Sequence, residues 1–362
     1  AGLVPPVTAG LVTVSLLALL ALAVWSIANL IVGAISIGGL AASIDALASR
    51  LIPQWAPRAD PLPGQAIRLG LPLVLVAAVC VAVSGWELLQ NARPDQPVEV
   101  IAHRGAAGVR PENTLAAVNE ALRQGADWIE IDVQETADGQ VVVVHDSDFM
   151  KIAGNPLNVW DATAADLTQM DIGSWFDPAY AQERIPTLQD VLVAAKGTAK
   201  VLVELKYYGH DDQLSARVAQ IVEDMEMVES TAFMSLKPDQ LAEMQGVRPA
   251  WRAGLLASTS LGDLSQFPAD FLAVNTLTAS PAFITRAQDA GKDVYVWTVN
   301  DPVEMSHMIG RGVDGLITDE PALARLVIAE RADMTTAQRL LLDVATVFGF
   351  DGTTKVSPDQ TP

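Results

Sequence analysis

The chain has 362 residues, which is enough for two domains, and it carries a net charge of −20. Residues 1–89 hold three basic and three acidic residues, so the acidic excess lies entirely in residues 90–362 and no nucleic-acid partner is expected. The single cysteine, Cys80, excludes an intramolecular disulfide framework and a cysteine-based zinc site.

The first predicted element is a transmembrane helix at about residues 7–32. No charged residue occurs between Ala1 and Ile44, and Val7–Val32 is an almost unbroken run of Leu, Ala and Val. About 20 apolar residues span a bilayer as a helix, whereas a secretory signal has a basic start and a shorter apolar region. Whether Gly33–Leu47 also crosses stays open, because small-residue segments suit spanning, re-entrant and interfacial structure.

A second predicted span covers about residues 68–88, with the uncharged centre Gly70–Trp86. The loop before it, Arg50–Arg68, carries three arginines and one acidic residue, so the positive-inside rule makes this loop cytoplasmic. We therefore expect residues 1–89 to form a membrane segment with at least two spans. The rest of the chain is then periplasmic or extracellular, the protein belongs to the cell (inner) membrane, and the lipid bilayer is a partner.

Residues 97–328 alternate between apolar, β-branched strands and amphipathic helices. The predicted strands are Val98–His103, Trp128–Val133, Val141–His145, Val201–Lys206, Ala232–Leu236, Gly254–Ala257, Phe271–Asn275, Val294–Val299 and Gly315–Thr318. Helical patterns are found at Thr114–Gln124, Gln213–Met225 and Pro302–Ile309. We expect Asn113 to cap the first of these helices and Gly125 to stop it. Repeated β–α units over this length predict an α/β fold, a (β/α)8 barrel of the TIM type.

Nine strands are one too many for this barrel, and a hairpin explains the extra strand. Asp138-Gly139 is a signal for a two-residue hairpin turn between the second and third strands. With the turn centred there, Asp132 lies opposite His145, and Glu130 shares the face of Asp132 because strand side chains alternate. Removing the return strand leaves eight parallel strands.

In a barrel of this kind the chemistry lies at the C-terminal ends of the strands. Three carboxylates at these ends form a hard oxygen set suited to Mg²⁺ or Ca²⁺. Two histidines can serve as acid and base near neutral pH, and two cations suit a phosphate diester. Together these residue types predict metal-assisted cleavage of a phosphodiester. The residues are Glu130, Asp132 and Glu204, His103 and His145, and Arg104 and Lys206.

Over residues 97–328 the chain resembles the glycerophosphodiester phosphodiesterase family. The motifs that carry the resemblance are His103-Arg104-Gly105, Pro111-Glu112-Asn113-Thr114, Glu130-Ile131-Asp132-Val133, His145-Asp146, Ile185-Pro186-Thr187-Leu188, Glu204-Leu205-Lys206, Val296-Trp297-Thr298 and Asp314-Gly315-Leu316-Ile317-Thr318-Asp319-Glu320-Pro321. The apolar segment ahead of them is similar to that of the membrane-anchored bacterial branch. The stretch from Phe149 to Ile185 corresponds to the family's inserted segment. At its start, Asp148–Ile152 differs from the Leu-x-Arg-Thr-Thr motif that is common in the family.

The resemblance implies metal-dependent hydrolysis of glycerophosphodiesters to sn-glycerol 3-phosphate and an alcohol such as choline or ethanolamine. It assigns metal binding to Glu130, Asp132 and Glu204, and acid–base catalysis to His103 and His145. It assigns phosphate binding to Arg104 and Lys206, and substrate binding or positioning to Glu112 and Trp297. The choice of Mg²⁺ or Ca²⁺, the head group, the roles of the two histidines and the oligomeric state stay open. It also stays open whether water attacks directly or the glycerol hydroxyl attacks first.

Other polar residues are expected to be structural. His210 is read as a loop residue, His307 as a helix residue, and Asp314 and Asp319 as groups that fix the last strand-to-helix turn. Residues 329–362 are expected to form a C-terminal helix and a polar, disordered tail.

The sequence leaves two alternative functions open. The first is a phosphodiesterase that acts on intact phospholipid, lysophospholipid or a lipoteichoic-type polymer, which the membrane anchor favours. The second is a catalytically inactive sensor of glycerophosphodiesters. The presence of both histidines and all three carboxylates speaks against the sensor.

Overall fold

The structure is a computed structural model that describes residues 97–210, 213–258 and 263–335, and the single residues 47, 50, 338, 339 and 342. One of its two compact units, Asp95–Asp333, contains all the strands given below. The predicted spans at about 7–32 and 68–88 lie outside the described residues, as does most of the expected C-terminal helix and tail. Among the described residues, no helix has both the length and the apolar character needed to cross a membrane.

The strands of the described residues form a closed parallel barrel with one antiparallel addition. In chain order they are β1 Glu99–Ala102, β2 Trp128–Glu135, β3 Val141–Val143, β4 Asp148–Phe149, β5 Asn155–Asn158, β6 Lys200–Leu205, β7 Thr231–Ser235, β8 Ala253–Ala257, β9 Phe271–Asn275, β10 Asp293–Trp297 and β11 Gly315–Thr318. Eight of the described strands are parallel neighbours in the order β1, β2, β6 to β11, and the pairing of β1 with both β2 and β11 closes the ring. The predicted (β/α)8 barrel is confirmed.

Helices follow the strands and cover the outside of the barrel. They are Leu115–Arg123, Leu188–Ala195, Leu214–Asp224, Pro238–Val247, Pro281–Asp289, Pro302–Arg311 and Pro321–Ala332, with short helices at Met150–Ala153 and Ala164–Leu167. Alternate residues of each strand point in opposite directions. On β2, Ile129, Ile131 and Val133 therefore pack against the helices, while Glu130 and Asp132 face inward.

The first helix and its N-cap both lie one residue later than predicted. Thr114 is the N-cap, and its side chain accepts a hydrogen bond from the backbone N–H of Ala117 at 3.2 Å. The expectation that Asn113 caps this helix is wrong, because Asn113 has a φ of +55° and its side chain is bonded to Asp132 instead. Gly125, with a φ of +75°, follows the end of the helix as predicted.

The hairpin loop between β2 and β3 is one residue longer than predicted. The backbone N–H of Thr136 donates to the carbonyl of Gln140 at 3.0 Å, which encloses the three residues 137–139. Gly139 has a φ of +79°, the left-handed conformation that the last position of a three-residue hairpin loop requires. An Asp-Gly pair therefore closes this hairpin, but not as a two-residue turn.

The longer loop shifts the register of the hairpin. Val133 pairs with Val143, so Asp132 lies opposite Val144, whose N–H donates to the Asp132 carbonyl at 2.9 Å. The predicted pairing of Asp132 with His145 is thus wrong by one residue. His145 follows the paired segment, at the point where the chain leaves the hairpin.

Residues 146–186 form an excursion beside the C-terminal end of the barrel. It contains β4, β5 and the two short helices, and it has its own apolar cluster, which includes Phe149, Val159 and Ile172. This cluster packs on Val142 and Val144 of the hairpin. The excursion therefore lies at the mouth of the barrel.

Candidate active site

Three carboxylates meet at the C-terminal ends of β2 and β6. Glu130 and Asp132 share the inward face of β2, and the strand register places Glu204 of β6 beside Asp132. Each of the three offers an oxygen atom within 4.8 Å of those of the other two, and all three residues are buried. The predicted carboxylate cluster is thus assembled by strand pairing alone.

Two cations border this cluster. The Lys206 ammonium lies 2.7 Å from Glu204 Oε1 and 3.1 Å from Asp132 Oδ1, and the Arg104 Nε lies 3.4 Å from Asp132 Oδ2. Glu130 accepts a hydrogen bond from the backbone N–H of Arg104 at 2.9 Å. The two residues predicted to bind phosphate therefore border the same three carboxylates.

Burial and mutual repulsion shift the protonation of the cluster. Burial and the charge of Asp132 raise the pKa of Glu130 to about 7 and that of Glu204 to about 8. Burial acts to raise the pKa of Asp132 as well, but Lys206 and Arg104 outweigh it, and this pKa is lowered. Burial acts to lower the pKa of Lys206, but Asp132 and Glu204 raise it, so its ammonium stays charged.

The donor set fits a divalent cation. Carboxylate oxygens are the ligands that Mg²⁺ and Ca²⁺ prefer, at about 2.0–2.6 Å from the ion. Ligands on one such ion are at most about 4–5 Å apart, which matches the 4.8 Å spread of Glu130, Asp132 and Glu204. The three carboxylates outnumber Arg104 and Lys206, so an added positive charge would relieve the repulsion that raises two of their pKa values.

Each predicted catalytic histidine is held by a carboxylate. His103 Nδ1 lies 2.7 Å from Asp319 Oδ1, and His145 Nδ1 lies 2.7 Å from Asp146 Oδ1. A carboxylate accepts hydrogen bonds, so it favours the tautomer that carries the proton on Nδ1. In both rings Nε2 is then the nitrogen available for proton transfer. Asp319, expected to fix the last strand-to-helix turn, also orients His103.

The pKa values of the two histidines move in opposite directions. Burial lowers the pKa of His145, and this effect prevails over the nearby charge of Asp132. Burial also acts to lower the pKa of His103, but the hydrogen bond to Asp319 and the charge of Glu130 outweigh it, and the pKa is raised. The two imidazoles therefore have the unequal proton affinities that an acid–base pair uses.

Glu112 connects Arg104 to the excursion. Its carboxylate accepts a hydrogen bond from Arg104 Nη1 at 2.9 Å and two from Lys151 Nζ at 2.8 and 2.9 Å. The predicted positioning residue thus holds a barrel cation on one side and an excursion cation on the other. Lys151 lies within Asp148–Ile152, the segment whose sequence differs from the common family motif.

Asn113 is a site residue that the sequence interpretation assigned to another task. Its Nδ2 donates to Asp132 Oδ2 at 2.9 Å, and both residues are buried. Its backbone N–H donates to the carbonyl of Arg104 at 3.0 Å, which holds the Pro111–Thr114 segment against the end of β1. The available signal was Thr114, a good N-cap in its own right, which leaves Asn113 for another role.

The remaining singled-out residues lie around the barrel. Trp297, at the end of β10, is half-buried, and its Nε1 donates to the Ala273 carbonyl at 3.1 Å. His210 stacks on Trp160 with ring centroids 4.2 Å apart, in agreement with a loop role.

His307 lies on Pro302–Arg311, where burial and Arg311 lower its pKa to about 4. The Asp314 carboxylate accepts from the backbone N–H of Val294 at 2.7 Å, a structural contact.

Comparison with known proteins agrees with this geometry. The family model described as the glycerophosphoryl diester phosphodiesterase family matches residues 103–323. A glycerophosphodiester phosphodiesterase of Caldanaerobacter subterraneus is 33% identical over 233 residues, which cover 61% of this chain and 94% of the relative. A lysophospholipase D of Mus musculus is 26% identical over 291 residues, which cover 68% of this chain and 87% of the relative.

A solved structure shares the barrel as well. The phosphodiesterase of Oleispira antarctica, solved in complex with the product sn-glycerol 3-phosphate, superposes with a TM-score of 0.61 at 27% sequence identity. The match covers 64% of this chain and 96% of that one. Residues 103–323, which the family model matches, contain both histidines and the carboxylate cluster.

Proposed function

The chain belongs to the glycerophosphoryl diester phosphodiesterase family and is an enzyme with glycerophosphodiester phosphodiesterase activity; we propose that it hydrolyses its diester to sn-glycerol 3-phosphate and an alcohol in a reaction that requires a divalent cation. One observation carries the proposal. Two histidines, each held by a carboxylate, and two cations border a cluster of three buried carboxylates.

Glu130, Asp132 and Glu204 would hold the divalent cation. When bound, the cation supplies Lewis-acid stabilisation of the charge on the phosphoryl group. Asn113 orients Asp132 through its amide, and the strand register orients Glu204. These supports matter because partners of metal ligands commonly change metal affinity by about 10–100-fold.

Arg104 and Lys206 neutralise the negative charge of the diester and of the transition state. Arg104 presents a planar guanidinium that suits phosphate oxygens, and Lys206 presents a compact point charge. Glu112 keeps Arg104 in place from the opposite side. Trp297 forms a wall for the glycerol moiety, which its half-buried position at the end of β10 supports.

His103 and His145 perform the proton transfers at Nε2. One accepts a proton from the attacking oxygen, and the other donates a proton to the leaving alcohol, each contributing about 10²–10⁴-fold to the rate. Asp319 and Asp146 fix the orientation of the rings and stabilise the imidazolium form. A sensor without catalytic activity would have no use for two histidines oriented in this way.

We also propose that residues 1–89 anchor the enzyme in the cell membrane, that 97–328 are the catalytic domain outside the cytoplasm, and that 329–362 are a C-terminal appendage. The uncharged runs and the arginine-rich loop Arg50–Arg68 support this placement. An alkaline-phosphatase fusion after Asn91 should be active. An inactive fusion, with an active cytoplasmic reporter at the same site, would contradict the topology.

A second candidate substrate is a lipid-borne diester. The similarity to a lysophospholipase D favours it, and so do exposed apolar side chains on the excursion and on the loop after β9, such as Phe176 and Leu277. In this reaction the same catalytic groups would release the head-group alcohol and leave the acyl chain on the phosphate-bearing product.

The activity is tested by following ³¹P resonances while the full chain, in detergent, acts on glycerophosphocholine. We expect sn-glycerol 3-phosphate to appear with added Mg²⁺ or Ca²⁺, to stop appearing after chelation, and to return when the ion is restored. Activity that persists at the same rate after exhaustive chelation would contradict the metal requirement. A failure to hydrolyse any glycerophosphodiester with the ion present would contradict the proposed function itself.

A further inference from the structure

Asn300 binds Asp319, the carboxylate that orients His103. It follows β10, in the loop that leads to the next helix. Its Nδ2 donates to Asp319 Oδ2 at 2.5 Å, and its Oδ1 accepts from the backbone N–H of Asp319 at 2.9 Å and from Thr318 Oγ1 at 3.1 Å. One side chain therefore holds both the backbone and the carboxylate of Asp319.

The two oxygens of the Asp319 carboxylate have different partners. Oδ1 lies 2.7 Å from His103 Nδ1, and Oδ2 accepts from Asn300. The orientation of the Asn300 amide is unambiguous, because a backbone N–H can only donate and therefore faces the amide oxygen, which leaves Nδ2 for the carboxylate. Burial acts to raise the pKa of Asp319, but the hydrogen bonds to His103 and Asn300 outweigh it, and the pKa is lowered. The carboxylate thus stays ionised and accepts from both sides.

The backbone of His103 is attached to the same strand end as its ring. Its N–H donates to the carbonyl of Thr318 at 2.8 Å, and the fully buried Thr318 in turn donates to Asn300 from its hydroxyl. The position of the imidazole therefore depends on the end of β11, and Asn300 connects that end to the end of β10.

The second catalytic histidine is held differently. Among the described residues, His145 is the only hydrogen-bond donor to the Asp146 carboxylate, at 2.7 Å. One histidine of the pair therefore has a carboxylate that is itself held by an amide, and the other has not. A change at Asn300 should act on the first histidine alone.

Building on the proposed function, we propose that Asn300 is a positioning residue of the hydrolysis, which holds Asp319 in the orientation that directs His103 Nε2 at the diester. Asn300 acts through Asp319 and binds neither the substrate nor the cation. Its loss should therefore lower kcat and leave KM and the affinity for the cation almost unchanged, because an interaction that matters only in the transition state affects kcat.

The first measurement compares two asparagines that each bind an aspartate. The full chain in detergent is assayed on glycerophosphocholine with Mg²⁺ or Ca²⁺ present. We expect Asn300→Ala to lower kcat about 10–100-fold, the effect of a small misplacement of a catalytic group, and to change KM by less than about twofold. The matched control is Asn158→Ala on the excursion, where the amide donates to Asp161 Oδ2 at 2.8 Å. Both kinetic constants of the control should stay within about twofold.

The second measurement is a pair of double-mutant cycles, which separate a positioning role from a structural one. Added to Asp319→Ala, Asn300→Ala should lower kcat by less than about a further twofold, because the carboxylate that it holds is already gone. Added to Asp146→Ala, it should cost its full factor, since Asp146 serves the other histidine. A structural role would give the same added loss in both backgrounds.

Asn300→Asp gives the same test if the alanine variant does not fold. It keeps the shape and both accepted hydrogen bonds, and above neutral pH it replaces the donating amide by a second carboxylate, so the same loss in kcat is expected.

The outcomes separate the inference from the proposed function. A folded Asn300 variant with unchanged kcat, a loss that appears only in KM, or equal added losses in the Asp319→Ala and Asp146→Ala backgrounds would overturn the positioning role and leave the proposed function intact. An unmodified chain that hydrolyses no glycerophosphodiester overturns the proposed function and the inference together.

Discussion

Replacing Asn113 by glycine tests whether its amide supports the metal site. Glycine accepts the φ of +55° without strain, so the change removes only the side-chain contacts: the 2.9 Å hydrogen bond to the Asp132 carboxylate and the 3.4 Å one that Oδ1 accepts from the backbone N–H of Asp132. A hydrogen bond to a charged group is worth about 1.5–3 kcal/mol. Loss of a partner of a metal ligand commonly costs about 10–100-fold in affinity, which is the same range because about 1.4 kcal/mol is tenfold.

We therefore expect Asn113→Gly to raise the dissociation constant for Mg²⁺ or Ca²⁺ about 10–100-fold. Calorimetric titration of the metal-stripped full chain measures this constant without reference to turnover. Thr114→Ala is the matched control, since Thr114 caps the adjacent helix and its hydroxyl bonds to the Pro111 carbonyl and the Ala117 N–H rather than to Asp132. The control should lose about 0.5–2 kcal/mol of stability, a fall in Tm of a few degrees, with its metal affinity unchanged.

Two results would exclude a role of the Asn113 amide in metal binding. The first is an Asn113→Gly variant that binds the ion as tightly as the unmodified chain. The second is a Thr114→Ala variant that loses affinity to the same degree, because the effect would then come from the helix rather than from the amide.

Three further predictions concern the groups around the phosphate. Asp319→Asn should move the pH–rate limb that reports His103 to lower pH, because Asp319 raises the pKa of this ring; a limb that stays in place would argue against the pairing. Glu112→Gln should lower kcat/KM about tenfold or more, whereas Lys151→Met, at an exposed partner of Glu112, should cost at most about fivefold; the reverse order would be incompatible with the assigned positions. His103→Ala and His145→Ala should both reduce kcat strongly while metal binding is retained. The variant that lacks the acid should regain part of its rate on a nitrophenyl diester, whose leaving group needs no proton. Near-normal rates of both variants on glycerophosphocholine would exclude acid–base roles.

The barrel was predictable because its signals are local. Each strand is a short apolar run, and the Asp138-Gly139 pair marks the hairpin that accounts for the ninth strand. The register of that hairpin was missed because Asp-Gly suits both two-residue and three-residue loops, and the choice depends on the Thr136–Gln140 pairing.

The carboxylate cluster and both histidines were predictable because each stands at a strand end. The contact between His103 and Asp319 was missed because 216 positions separate them in the chain. The pairing of Ala102 with Thr318 could have indicated it, since closing the barrel places the residues after β1 and β11 side by side. The amide of Asn113 was missed because asparagine is also a common N-cap.

The excursion was the least predictable part of the site. Its residues were identified by resemblance, but the ion pair between Lys151 and Glu112 depends on how the excursion folds over the mouth of the barrel. The exposed positions of Trp175 and Leu277 likewise follow from loop conformation rather than from hydrophobic periodicity.

Glu130, Asp132 and Glu204 are expected to hold one divalent cation together. Equilibrium dialysis of the full chain against Mg²⁺ or Ca²⁺, followed by elemental analysis, measures the number of ions bound per chain. We expect one ion, and we expect it to be lost in Glu130→Gln, Asp132→Asn and Glu204→Gln while circular dichroism shows the barrel still folded. Folded variants that retain the ion, or an unmodified chain that binds none, would contradict a cation site at these three carboxylates.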